Sequence, residues 1–346
     1  MTGGYPLRPQ VNRIISTVSG LLIAFAAVSG CSSNPADAPP PTIEPARAAV
    51  SPPATVAPAG QVIPLGGRPT AALIDQGRLV TLTPGTGPAA ATLTVLPSAG
   101  LLRTVPLPGQ ATAICGDGEG TVFAAGHGGF FTVDLKAGTA TRSDLSGHTD
   151  TEFTAIARRA DGRLVLGSAG GDVYTLKPDM TVGATASIFA RVDAIVTQGD
   201  VAVVLDRAQT SVTSLSAEGT PKLALRAGQG ATTIAADPAG RVLVADTRAG
   251  QLLVFGADPL IERQAAPAGD SPYGLAGSPT LAWVSQTATN TVVGYDLSTG
   301  TPVEKVRYPT VQQPDSLAFD DASGTLYVVS GSGAGVQVIR DAGAVR

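Results

Sequence analysis

One unit of sequence returns seven times in this chain, at a period near 40 residues. Its clearest copy is residues 231–255, ATTIAADPAGRVLVADTRAGQLLVF. An apolar run at Thr233–Ala236 leads into a turn at Asp237-Pro238-Ala239-Gly240 and a second run at Arg241–Ala245. A polar loop from Asp246 to Gly250 and a third run at Gln251–Phe255 follow. Short apolar runs between Gly, Pro and Asp turns, with no period of 3.6, are β-strands. Centred on the first strand, the copies fall at Leu73, Ile114, Ile156, Ile195, Ile234, Leu275 and Leu317, spaced by 41, 42, 39, 39, 41 and 42 residues.

The later strands of each unit line up as well. Second strands fall at residues 78–83, 121–126, 163–168, 201–206, 241–246, 281–286 and 325–330, and third strands follow in every unit. Fourth strands are more polar (Leu102–Leu107, Lys222–Ala227, Val303–Tyr308), as an outer edge requires. Four strands repeated every 40 residues make the blade of a β-propeller. The expected fold is therefore all-β: a seven-bladed propeller of four-stranded antiparallel blades over residues 61–346. The last unit ends after its third strand, and Ile63-Pro64-Leu65 near the other end resembles Val105-Pro106-Leu107. Residues 61–66 are thus expected to close the final blade, because an open ring leaves two blades without a neighbour.

Residues 1–60 read differently. Arg8 and Arg13 precede a short apolar run, Val18–Val28, that is broken by Ser and Gly and is too short to span a bilayer. It ends in Val28-Ser29-Gly30-Cys31, which resembles the lipobox of bacterial prolipoproteins. That resemblance implies removal of residues 1–30, lipidation of Cys31, and attachment to the extracytoplasmic side of the cell membrane through the lipid. Residues 31–60, with eight prolines, read as a disordered, extended linker, reaching up to roughly 90 Å at ~3.1 Å per residue. Without residues 1–30 the chain has 21 basic and 27 acidic residues, a net charge of −6. That balance excludes nucleic acid as a partner, since phosphates are neutralised by Lys and Arg.

The units also carry a family likeness. Residues 282–300, AWVSQTATNTVVGYDLSTG, resemble the YVTN-type propeller repeat, and residues 237–246, DPAGRVLVAD, resemble the related NHL repeat. Together with the lipobox, the chain is similar to actinobacterial, mycobacterial-type propeller lipoproteins. The resemblance implies a ligand face formed by the loops before each first strand and after each second strand.

On that face the sequence places Asp150, Glu152, Asp193, Asp206, Asp246, Asp270 and Asp315 against Arg68, Arg191, Arg207 and Arg248. Of these, Asp206, Asp246, Asp270 and Asp315 are the candidate ligand-face residues. Carboxylates around a channel mouth would hold a cation or a basic ligand, whereas Asp at turns commonly caps backbone N–H groups. Set against Asp246, the other units give Thr83, Gly126, Ser168, Leu205, Ser285 and Ser330, with Asp206 one step away, so a symmetric ring of acids is not expected. His127 and His148, the two histidines, read as loop residues and not as a zinc set, which needs about three. Cys115, inside a strand, reads as a buried hydrophobe, and Trp283 as core. No catalytic residue, metal or cofactor is assigned. The expected function is a non-enzymatic binding or scaffold module for a protein, peptide or envelope component. The alternative is a lactonase-like hydrolase or lyase with a divalent metal at the channel mouth.

Overall fold

A strand that is apolar on both faces must be covered on both, and the second and third strands of every repeat are of this kind. Val242, Leu243, Val244 and Ala245 are consecutive, point alternately to the two faces of their sheet, and are all fully buried. The computed structural model describes residue 1 and residues 41–86, 89–97 and 101–344. It meets this demand with seven four-stranded antiparallel sheets set side by side in a ring. The signal-peptide and Cys31 assignments lie outside the described residues.

Strand β1 (Gln61–Ile63) precedes the first blade, which is β2 (Ala71–Asp75), β3 (Arg78–Thr83), β4 (Thr92–Leu96) and β5 (Arg103–Pro106). The second is β6 (Ala113–Gly116), β7 (Thr121–Gly126), β8 (Gly129–Asp134) and β9 (Thr139–Asp144), and the third β10 (Phe153–Arg158), β11 (Leu164–Ser168), β12 (Asp172–Leu176) and β13 (Val182–Ser187). The fourth holds β14 (Ala194–Gln198), β15 (Val201–Asp206), β16 (Ser211–Leu215) and β17 (Pro221–Arg226). The fifth holds β18 (Ala231–Asp237), β19 (Arg241–Asp246), β20 (Gln251–Ala257) and β21 (Leu260–Pro267). The sixth comprises β22 (Pro272–Gly277), β23 (Ala282–Gln286), β24 (Thr291–Asp296) and β25 (Val303–Pro309). In the seventh, β26 (Pro314–Asp320), β27 (Thr325–Ser330) and β28 (Val336–Ile339) are completed by β1.

The core is divided among the joints between blades. Val80, Leu82 and Leu93 of the first blade meet Val122, Phe131 and Val133 of the second. Phe123 and Phe130 meet Phe153, Leu164 and Tyr174 at the next joint. Four further clusters join the third blade to the fourth and so on to the seventh. Trp283 is fully buried at the sixth joint, stacked between Tyr308 and Phe319 with ring centroids 6.3 and 6.1 Å away. The seventh cluster, Leu79 and Leu96 against Tyr327, Val329 and Val338, brings the last blade back to the first.

That last joint is fastened by pairing the two ends of the ring. Gln61, Val62 and Ile63 pair antiparallel with Val338, Gln337 and Val336, and Ile63 and Leu65 pack on the seventh cluster. Ring closure thus adds a three-residue ladder and an apolar seal to a blade that would otherwise end in an open edge. Deletion of residues 61–66 is expected to lower the melting temperature by roughly 5–10 °C. A calorimetric scan that superimposes on that of the intact chain would refute this account of closure.

Candidate functional site

The loops that enter each first strand and leave each second strand gather on one face of the ring. On this face the carboxylates are mostly occupied with their own scaffold. Asp246 ends β19 and is fully buried. Its Oδ2 accepts the Gln229 N–H at 2.8 Å, and its Oδ1 accepts those of Gly230 at 2.9 Å and Ala249 at 3.1 Å. Gly228 makes this possible, because its φ is +68° and an added Cβ would lie 1.9 Å from Asp246 Oδ2. Asp206, also fully buried, ends β15 and accepts from Ala190, Arg191 and Gln209 N–H at 2.7, 3.2 and 2.9 Å.

The ladders make these two aspartates equivalent, because Asp206 pairs with Ser211 and Asp246 with Gln251, the first residues of the following strands. This corrects the comparison that set Asp246 against Leu205. The hairpin from β14 to β15 has two loop residues where that from β18 to β19 has three, which displaces the register by one. Gln286 likewise replaces Ser285 as the sixth counterpart, since it pairs with Thr291. The position is a clamp in several blades. Ser330 Oγ donates to Gln312 O at 2.6 Å and accepts from Ala334 N at 3.0 Å, and Gln286 Nε2 donates to Ala268 O at 2.6 Å. Each ties the end of a second strand to the entry of the first strand in the same blade.

The remaining acids do not form a ring. Asp150, Glu152 and Asp270 are exposed, while Asp193 and Asp315 are half-buried. Among these seven acids only Asp193 borders the central channel. It accepts the Arg207 N–H at 2.8 Å and pairs with Arg191 at 3.3 Å, yet burial raises its pKa above the ordinary carboxylate value. Burial also raises the pKa of Asp315, opposed by a 2.9 Å hydrogen bond from Gln313 Nε2. Among the described residues no three His, Cys, Asp or Glu side chains come together as a metal site. His127 is exposed in the hairpin between β7 and β8, and His148 packs edge-on against Tyr174 at 4.5 Å. Cys115 is half-buried in the channel wall, where burial pushes its thiol up to about 12.

The channel holds about 740 Å³ and is lined at its waist by the seven repeat anchors, Leu73, Ile114, Ile156, Ile195, Ile234, Leu275 and Leu317. Polar side chains collect at one mouth, where Asp193, Arg207 and Tyr273 stand beside Glu44, Pro45 and Arg47.

Those last three residues come from the segment read as a disordered linker. Its described part, residues 41–60, is extended as expected but is held on the loop-rich face by hydrogen bonds. Ile43 N–H donates to Ala208 O at 2.8 Å, Arg248 Nη2 to Glu44 O at 2.6 Å, and Arg207 Nη2 to Ala46 O. Ala49 N–H donates to Ser271 Oγ at 2.9 Å, and Gln313 Nε2 to Ala49 O at 3.1 Å. Ser51 is buried: its N–H meets Gln313 Oε1 at 2.9 Å, its Oγ donates to Thr287 O at 2.6 Å, and its carbonyl accepts from Gln312 Nε2 at 3.0 Å. Asn290 Nδ2 reaches Pro52 O at 2.8 Å. Composition hid this contact. Prolines, alanines and a serine contain no apolar period, and the partners Ser271, Asn290, Gln312 and Gln313 read as ordinary loop polar residues.

No protein-family model matches the chain, and no curated protein matches it in sequence. Solved structures match its fold. A chain of the mitotic checkpoint complex superposes with a TM-score of 0.68 at 13% identity, covering 85% of this chain and 98% of that one. Streptogramin B lyase gives 0.66 at 12%, covering 82% and 97%. Hydrazine synthase of Kuenenia stuttgartiensis gives 0.65 at 13%, covering 83% and 99%. At such identities the likeness is one of fold alone.

Two substitutions test the electrostatic reading. Asp246→Ala leaves three N–H groups without their acceptor and is expected to cost about 2–4 kcal/mol. The loss should be the same with or without Ca²⁺, Mg²⁺ or Zn²⁺ in thermal melts, and a metal-dependent stabilisation present only in the parent would refute the clamp role. Asp315→Asn tests the raised pKa. Because the folded carboxyl holds its proton more tightly than the unfolded one, its ionisation weakens the fold as pH rises from the ordinary carboxylate range. The variant should melt higher than the parent at about pH 7, with the difference shrinking toward about pH 4. A gain independent of pH would contradict this assignment.

Proposed function

We propose that this chain is a lipid-anchored, extracytoplasmic propeller that binds a protein or peptide partner on its loop-rich face without catalysing a reaction there. The observation that supports the reading is how this face distributes its polar groups. Its deepest carboxylates, Asp206 and Asp246, are bonded to loop N–H groups. Its side-chain amides and guanidiniums reach outward to a peptide backbone. A surface arranged in this way recognises polypeptide. The fold neighbour in the mitotic checkpoint complex comes from a multi-protein assembly, which fits a propeller acting through protein contacts. The anchoring half of the proposal rests on the run Val28-Ser29-Gly30-Cys31.

The test is a pair of photo-cross-linking residues placed in the full chain in its native cells, one at exposed Asp270 on the loop-rich face and one at exposed Glu119 on the opposite face. A discrete cross-linked species is expected from Asp270 and not from Glu119. Equal labelling from both positions, or none from Asp270, would overturn the proposed face. In the same cells Cys31→Ser should move the protein from the membrane fraction to the soluble fraction, and retention at the membrane would remove the lipid anchor.

A further inference from the structure

Exposure over residues 43–50 has a period of three. Glu44, Arg47 and Val50 are exposed, while Ile43, Ala46, Ala49 and Ser51 turn toward the propeller. Glu44 and Arg47 confirm the spacing by pairing with each other at 3.1 Å, three residues apart. Three residues per turn is the repeat of the polyproline II helix, which makes no hydrogen bonds within itself and leaves its N–H and C=O groups to a partner. Pro45, Pro52 and Pro53 favour that conformation.

The face is fitted to such a chain. Gln313 bridges two of its residues that stand two apart, accepting from Ser51 N and donating to Ala49 O through a single amide. Ala46 lies over Gly230, where an added Cβ would stand 2.9 Å from Ala46 Cβ, so only a small side chain fits on either side. Three of the residues that hold the segment, Ser271, Asn290 and Gln313, have left-handed backbones with φ of 56°, 50° and 56°. Serine and glutamine adopt this conformation infrequently, and here it belongs to residues whose side chains hold the segment. Nearly all the recognition is of backbone. The side-chain requirements are a small residue at 46, over Gly230, and a hydroxyl at 51, bonded to Thr287 O at 2.6 Å.

We infer that this groove is a binding site for extended, proline-bearing peptides of the form small-x-x-x-x-Ser-Pro, and that residues 43–53 occupy it as a tethered ligand. The inference rests on the loop-rich face being the binding face and names the class of partner that face takes. A groove that reads backbone does not distinguish its own chain from another except by tethering, which raises the local concentration of the resident segment to the millimolar range. A partner segment must therefore compete with residues 43–53, and the site is open to it in proportion to how often the resident segment lifts away.

The test uses the full chain and a fluorescent synthetic peptide with the sequence of residues 41–54. The double variant Ala46→Asp/Ser51→Asp places charges where Gly230 and Thr287 O leave no room for them, and so releases the resident segment. Fluorescence anisotropy should show the peptide binding this variant at least about tenfold more tightly than the parent. Adding Gln313→Ala to the double variant should weaken binding about tenfold or more, and a peptide carrying the same two aspartates should fail to bind. If the double variant does not melt cooperatively, Ser51→Ala, which removes the bond to Thr287 O without adding charge, takes its place with the same expected order. Absence of peptide binding to a folded released variant, or binding indifferent to Gln313→Ala, would falsify the inference. If cross-linking from Asp270 persists in that case, the face still binds a partner but not of this class; if cross-linking also fails, both readings fall together.

Discussion

Every blade of this protein is apolar on both faces, and that single condition fixes the rest of the architecture. A sheet covered on one side can end at solvent, but one that buries Val242, Leu243, Val244 and Ala245 in succession needs a neighbour on each side. Sheets that all need two neighbours are satisfied only when the row closes. The seven joint clusters are therefore similar in kind, and the aliphatic waist of the channel follows from the first strands converging at the centre. The joint clusters are apolar, and charged side chains lie outside them, in the outer strands, at strand ends and in the loops.

The loops then carry a second condition. They lack a regular ladder, so their backbone N–H groups need other acceptors. The last residue of the second strand is well placed to supply one, standing beside both its own loop and the entry to a first strand. Asp206 and Asp246 are acids at that position because each accepts three N–H groups, which the two oxygens of a carboxylate do well. Their burial is a property of the scaffold, and the surface left for recognition is built from Arg, Gln, Asn and Ser.

The fold was legible because strand periodicity and turn chemistry are local, and seven copies reinforced one another. The seven anchors from Leu73 to Leu317 all lie on the channel wall. The resemblance of Ile63-Pro64-Leu65 to Val105-Pro106-Leu107 points to the place where β1 pairs with β28. The candidate site was less legible. Asp206, Asp246, Asp270 and Asp315 look alike in sequence, yet two are fully buried, one is half-buried and one is exposed. Loop entry angles decide that difference, and no spacing rule carries them. The packing of residues 41–60 was hidden for a related reason. Its stability comes from side chains more than 150 residues away, such as Arg207 and Gln313, and a Pro- and Ala-rich stretch looks the same whether it has such partners or not.

The route of that segment also bears on how the molecule responds to mechanical force. Between Ile43 and Ala59 the chain is fixed to residues of the fourth, fifth, sixth and seventh blades, ending with Ala59 N–H on Pro309 O and Ala59 O on Gln337 Nε2. Only then does it enter β1, the strand that shuts the ring. A pull from the N-terminal side therefore meets a series of hydrogen bonds spread over four blades before it can peel the three-residue closing ladder. Tension applied at residue 43 thus reaches the closing seam only after those bonds have given way.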